Sequence, residues 1–186
     1  MNNPSRYDAF AMCLHWLLAL AIIAALGSGL YAASLPVSPA RLRWVNWHKW
    51  LGMAVLFASI LRLGWRVWRT PPPLPQQAAA RMSGWQRAAH KTVHGLMYAL
   101  FLAVPLLGWA YSSAAGVSIV WLGLLALPDF VVVNRELAGS LRMAHQMLAY
   151  GLGVLVIVHI AAVLGHVWQR DGVMQRMLPG FGRRSS

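Results

Sequence analysis

From Ala9 to Ala40 this sequence contains no Lys, Arg, Asp or Glu. Within that run, Cys13 to Leu35 exceeds the ~20 apolar residues a helix needs to cross a bilayer. It is also too long for the apolar core of a cleaved signal, ~7 to 15 residues, and so reads as a retained span. Only 11% of the 186 residues are charged and 59% are hydrophobic, whereas a soluble domain carries about 25% charged residues. A water-facing surface cannot be built from that composition, so lipid is the principal solvent.

Three further spans follow. Trp47 to Trp68 is charge-free only from Trp50 to Leu61, so Lys49 and Arg66 must snorkel to the interfaces, where Trp44, Trp47, Trp65 and Trp68 form aromatic belts. The prolines of Thr70-Pro71-Pro72-Pro73-Leu74-Pro75 withdraw backbone donors and give a stiff extended linker. Ala88 to Tyr111 is the third span, with Pro105 as a kink site, and it ends in the turn region Ser112 to Gly116. Val117 to Leu127 is too short to cross and is expected at the interface. The fourth span, Met143 to Gln169, has no formal charge but three histidines. The tail Pro179 to Ser186 reads as a short basic, poorly ordered end. The fold class is all-α: one domain over residues 1–186, a transmembrane four-helix bundle with helices at about 13–35, 47–68, 88–111 and 143–169.

The net charge of +12 does not indicate nucleic acid, because the basic residues lie between apolar segments and form no stripe along one amphipathic element. They report topology. Arg6, Arg62 to Lys91 and Arg170 to Arg184 hold eleven, against five (Arg41, Arg43, Lys49, Arg135, Arg142) on the other side, so both termini are expected to face the cytoplasm. The single cysteine, Cys13, excludes an intrachain disulfide framework, a four-cysteine zinc site and covalent c-type haem attachment.

His145 and His159 are fourteen residues apart on one helix, which separates them by ~21 Å along the axis and leaves them within ~40° of one face. One helix thus offers an imidazole near each leaflet. A bis-histidine haem needs a second imidazole at the same depth. His48, opening the second span, is level with His145, and His15, opening the first, is level with His159. The pairs His48 with His145 and His15 with His159 make two stacked haem iron sites, a path for electrons through the bundle. Gly52, Gly151 and Gly153 supply small side chains for close approach. Arg62, fourteen residues after His48, reaches the depth of the second pair, where its guanidinium could meet a haem propionate.

Other readings stand beside this one. A lone histidine in a membrane helix can simply hydrogen-bond across helices. His90 and His94, four apart, have the spacing of a metal pair but sit at the interface, where solvated or propionate-contacting roles suit them. His94 also rivals His15 as ligand to the second iron. His166, seven residues after His159, could gate proton entry or be an interface histidine beside Trp168.

Leu14-His15-Trp16-Leu17, His48-Lys49 with Gly52, Arg62 to Arg66 followed by Pro71 to Pro75, His94 to Tyr98, His159 to Ala162, and Arg170-Asp171-Gly172-Val173 through Arg176 to Pro179 together resemble the bacterial cytochrome b561 family. That family is related to the di-haem cytochrome b subunits of hydrogenases and formate dehydrogenases. The resemblance spans nearly the whole chain. It implies two non-covalent haem b groups held at His15, His48, His145 and His159, and exchange of electrons with the quinone pool of the bacterial inner membrane. The family includes members assigned superoxide oxidation coupled to ubiquinone reduction, and this short chain is more similar to that branch than to a hydrogenase anchor. His94 and His166 become candidates for a quinone or proton site. Val167, where relatives often carry a second histidine, weakens a proton role borrowed for that pair.

Three functions are compatible with these residues: electron transfer from a periplasmic donor to quinone, a membrane anchor and relay for a partner dehydrogenase, or a histidine-based proton or metal transporter. The periplasmic set Arg41, Arg43, Lys49, Arg135 and Arg142 outweighs Asp129 and Glu136, which suits an anionic donor such as superoxide or anionic lipid headgroups.

Overall fold

The computed structural model describes residues 6–178, and the expected basic tail from Pro179 lies outside them. Four helices are long and apolar enough to cross a membrane: α1 (Ala9–Ser34), α2 (Pro39–Trp68), α4 (Gly84–Ala114) and α5 (Arg135–Gln169). Between α2 and α4 the linker carries a short α3 (Gln76–Arg81), and a hairpin of β1 (Val120–Trp121) and β2 (Leu125–Ala126) joins α4 to α5. The protein is an all-α bundle.

Each long helix begins several residues before its apolar run. The physical reason is capping, which hydropathy does not see. Asp8 accepts the Ala11 N–H, Ser38 accepts the Arg41 N–H ahead of Pro39, Ser83 forms a reciprocal capping box with Gln86, and Asn134 accepts the Leu137 N–H. The polar first turns of α2 and α5 extend past the apolar segment, so His48 and His145 lie more than two turns inside their helices rather than opening them. α4 continues unbroken through Pro105 to Ala114.

α1 packs along α2, α4 along α5, and α2 along α4, whereas α5 has no extended packing against α1 or α2. Leu18, Ile22, Val55, Met97, Phe101, Val104 and Leu152 form the buried centre, drawing on all four long helices. In lipid there is little hydrophobic drive between helices, so this interdigitation and interhelical hydrogen bonds carry the association. Leu152 lies seven residues from both His145 and His159, which puts the apolar layer between the two histidine levels.

The segment Val117 to Leu127 forms a docked hairpin. Its turn places Leu122 and Gly123 at positive φ (56° and 73°), the backbone of a type I′ turn. The Trp50 indole donates to the Val120 carbonyl (2.7 Å) and the Trp121 indole to the Trp50 carbonyl (3.1 Å), while Ile119 is buried on Met53 and Leu56. At the opposite end, residues 170–178 form a strap. Arg176 donates to the Pro72 carbonyl and lies over the Tyr7 ring, and the Trp16 indole donates to the Met177 carbonyl (2.7 Å).

Candidate functional site

His48 on α2 and His145 on α5 face each other edge to face, with ring centroids 5.9 Å apart. Both are half-buried and turned into the bundle. Two nitrogens ligating one ion at ~2 Å each stand about 4 Å apart, and with about 1 Å from nitrogen to ring centre on each side the centroids come to about 6 Å. The observed spacing fits.

The same device fixes both rings. His48 Nδ1 lies 2.9 Å from the Ala25 carbonyl on α1, and His145 Nδ1 lies 2.9 Å from the Val104 carbonyl on α4. A carbonyl can only accept, so Nδ1 carries the proton and Nε2 is left with its lone pair, the form a metal requires. Each ring also rests on a glycine one turn beyond that carbonyl: a Cβ at Gly29 would stand 2.8 Å from His48 Cε1, and one at Gly108 would stand 3.0 Å from His145 Cε1. Hydropathy and histidine spacing gave no sign of Gly29 or Gly108. Gly52, Gly151 and Gly153, expected from sequence to allow close approach, meet nothing within 4 Å.

The second level gathers more groups. His159 on α5 faces His94 on α4, with centroids 5.2 Å apart, and His94 Nδ1 donates to the His90 carbonyl (2.8 Å). His15 on α1 lies within electrostatic range of His159, His94 and Arg62. Arg62 donates from Nε to the Tyr98 hydroxyl (3.2 Å) and from Nη1 to the Ala11 carbonyl (3.1 Å). Two of its five N–H donors are thus used, and three remain for an anion. His166 Nδ1 pairs with Asp171 Oδ2 at 2.5 Å. Asp171 is 3% exposed and its other oxygen accepts the Val173 N–H, so it fixes the start of the strap as well. In the sequence Asp171 stands out only as part of the Arg170-Asp171-Gly172-Val173 motif. Its position five residues beyond His166, after the left-handed cap Arg170, was the available signal.

Among the described residues, no three or more His, Cys, Asp and Glu side chains converge as a bare metal ion would need. Facing imidazoles would instead supply the two protein ligands of a haem iron. The backbone of α5 makes no extended approach to α1 or α2, so side chains rather than close backbone contact span the distance between the helices that carry His15, His48, His145 and His159. The residues present fit the group.

The sequence profile of the prokaryotic cytochrome b561 family matches residues 6–180. Over its full length the chain is 29% identical to cytochrome b561 homolog 2 of Escherichia coli (strain K12), covering 96% of that protein. It is 27% identical to the probable superoxide oxidase CybB of Yersinia pestis, over 94% of this chain and 96% of that one. Cytochrome b561 homolog 1 of Escherichia coli (strain K12) is 35% identical over 51% of the chain and 54% of its own length.

Proposed function

The chain belongs to the prokaryotic cytochrome b561 family, and from that premise we propose that it is a di-haem cytochrome of the bacterial inner membrane that oxidises periplasmic superoxide and reduces ubiquinone. Membership of the family makes it a membrane-embedded b-type cytochrome of electron transport. The observation that carries the finer reading is the pairing of His48 with His145, tautomers fixed, across helices whose backbones make no extended approach. Haem b, when bound, supplies reversible one-electron transfer at each level.

His48 and His145 would hold the first iron, and His15 and His159 the second. His94 stands closer to His159, but helix packing and ring spacing both favour His15. α4 packs directly along α5, which leaves little room for a macrocycle between them, whereas α1 does not. The His94 to His159 spacing of 5.2 Å is also shorter than the about 6 Å that a shared ion requires. His94 then serves the proton or quinone side together with His166, whose imidazole is held by buried Asp171. Arg62 meets a propionate with its remaining donors. Both termini face the cytoplasm, so Arg41, Arg43, Lys49, Arg135 and Arg142 face the periplasm and their field draws an anionic donor.

The reaction balances as two superoxide anions each losing one electron to give dioxygen, while one quinone takes two electrons and two protons. The similarity to a probable superoxide oxidase supports this donor. The test is quinol formation by the purified protein with superoxide as the donor, at low and high ionic strength. A rate above the spontaneous reaction that falls with salt is expected. No rate above background, together with co-purification of a dehydrogenase, would instead make the chain an anchor and relay.

A further inference from the structure

A cleft of about 340 Å³ opens at the basic end of the bundle, between the start of α1, the end of α2 and Tyr98 of α4. Arg6, Arg62, Arg66 and Arg69 line it, with Asp8 as the one carboxylate. Both Asp8 oxygens are engaged, one by the Ala11 N–H (2.8 Å) and the other by the Trp65 indole (3.1 Å). Among the described residues the sole ion pair is His166 with Asp171, so none of the four guanidiniums has a carboxylate partner. The cleft sets four guanidiniums against one carboxylate and so carries a net positive charge.

The guanidiniums are also pre-positioned. Arg66 lies over the Tyr98 ring at 5.6 Å, and Arg69 lies over Trp65 at 5.9 Å and Trp68 at 5.5 Å. Stacking on a ring face leaves the N–H donors at the guanidinium edge available and spends no extra side-chain entropy on capture. Among the described residues Arg6 Nε has no hydrogen-bond partner, while Arg6 Nη2 donates to the Leu178 carbonyl. Planar guanidiniums bind phosphate oxygens in bidentate fashion. The volume equals about eleven waters at ~30 Å³ each, room for a phosphoglycerol head group.

We infer that this cleft binds the phosphodiester head group of an anionic phospholipid, with Arg66 and Arg69 as its principal donors and Arg6 completing the grip. The lipid source follows from place. Val67 (82% exposed) and Trp68 (73%) flank the arginines on the outer face of α2, so acyl chains can lie along the helix while the phosphate enters the cleft. Juxtamembrane arginines at this depth meet the headgroups of the facing leaflet. Arg62 is shared with the proposed propionate contact, and the inference does not depend on it.

The test titrates phosphatidylglycerol into the purified, delipidated full-length protein and follows thermal unfolding by tryptophan fluorescence, with native mass spectrometry counting retained lipid. Wild type should be stabilised by phosphatidylglycerol and not by phosphatidylcholine. R66Q/R69Q should bind phosphatidylglycerol at least about tenfold more weakly, and R81Q/R87Q, outside the cleft, should match wild type. If the double variant does not fold, R69Q alone should give a smaller loss in the same direction. Equal stabilisation by inorganic phosphate would overturn the lipid assignment. So would an unchanged phosphatidylglycerol response in R66Q/R69Q accompanied by loss of haem, which would make the cleft a propionate site. Because lipid binding is read without haem or quinone turnover, this result is independent of the proposed oxidase activity.

Discussion

The imidazole of His48 rests directly on Gly29: a Cβ there would stand 2.8 Å from His48 Cε1, while Nδ1 reaches the Ala25 carbonyl at 2.9 Å. His145 repeats the arrangement on Gly108 and Val104. A ring whose Nδ1 edge donates to one carbonyl and rests on the bare backbone one turn further along the same helix is fixed in orientation, and Nε2 is left on the edge that faces away from that helix.

Adding a methyl group at Gly29 should therefore displace His48. In a helix Gly→Ala otherwise favours folding by about 0.5–1 kcal/mol, so the propensity term and the contact term have opposite signs. G29A should shift the absorption spectrum and potential of one haem and lower haem content by up to half, while G27A, which meets nothing within 4 Å, should retain both. G108A should mimic G29A. Haem stoichiometry and redox titration measure the difference.

Alanine at each histidine in turn separates the ligands from their neighbours. H48A and H145A should each lose the same haem, H15A and H159A the other, and H90A, H94A and H166A should keep both. If H94A loses a haem and H15A does not, the second iron is held by α4 and α5 instead.

Asp171→Ala removes the partner of His166 and the acceptor for the Val173 N–H in one step. Leaving buried polar groups unpaired costs about 1–3 kcal/mol, so the strap should loosen. Limited proteolysis after residue 170 should become faster by roughly ten- to a hundredfold, and quinone reduction should slow. The conservative D171N should recover part of the protease resistance but not the rate, if charge on the dyad matters to proton delivery.

Asp8 links pH to the start of α1. Desolvation would raise its pKa, but the hydrogen bonds from Ala11 and Trp65, with Arg69 nearby, outweigh that and hold the carboxyl below its usual 3.8. A depressed folded-state pKa means the contribution is full above the usual value and is lost as pH falls through the lowered one. D8A should cost about 1 kcal/mol as a lost cap at neutral pH, and the gap from wild type in thermal unfolding should close as pH drops below the ordinary carboxylate range.

The sequence by itself determined the solvent, the number of spans and the two levels of histidine. Each is a one-dimensional property: charge-free length sets whether a segment crosses, and fourteen residues along a rigid helix set both depth and face for His145 and His159. Helix starts were less legible because caps lie outside the apolar run. Tertiary structure decided which backbone receives each ring. Gly29 and Gly108 lie 19 and 37 residues from the histidines they support, and nothing in the pattern of either glycine sets it apart from Gly52 or Gly151. It also brought Arg6 beside Arg66 and Arg69, because groups distant in sequence meet only once the helices have chosen their neighbours.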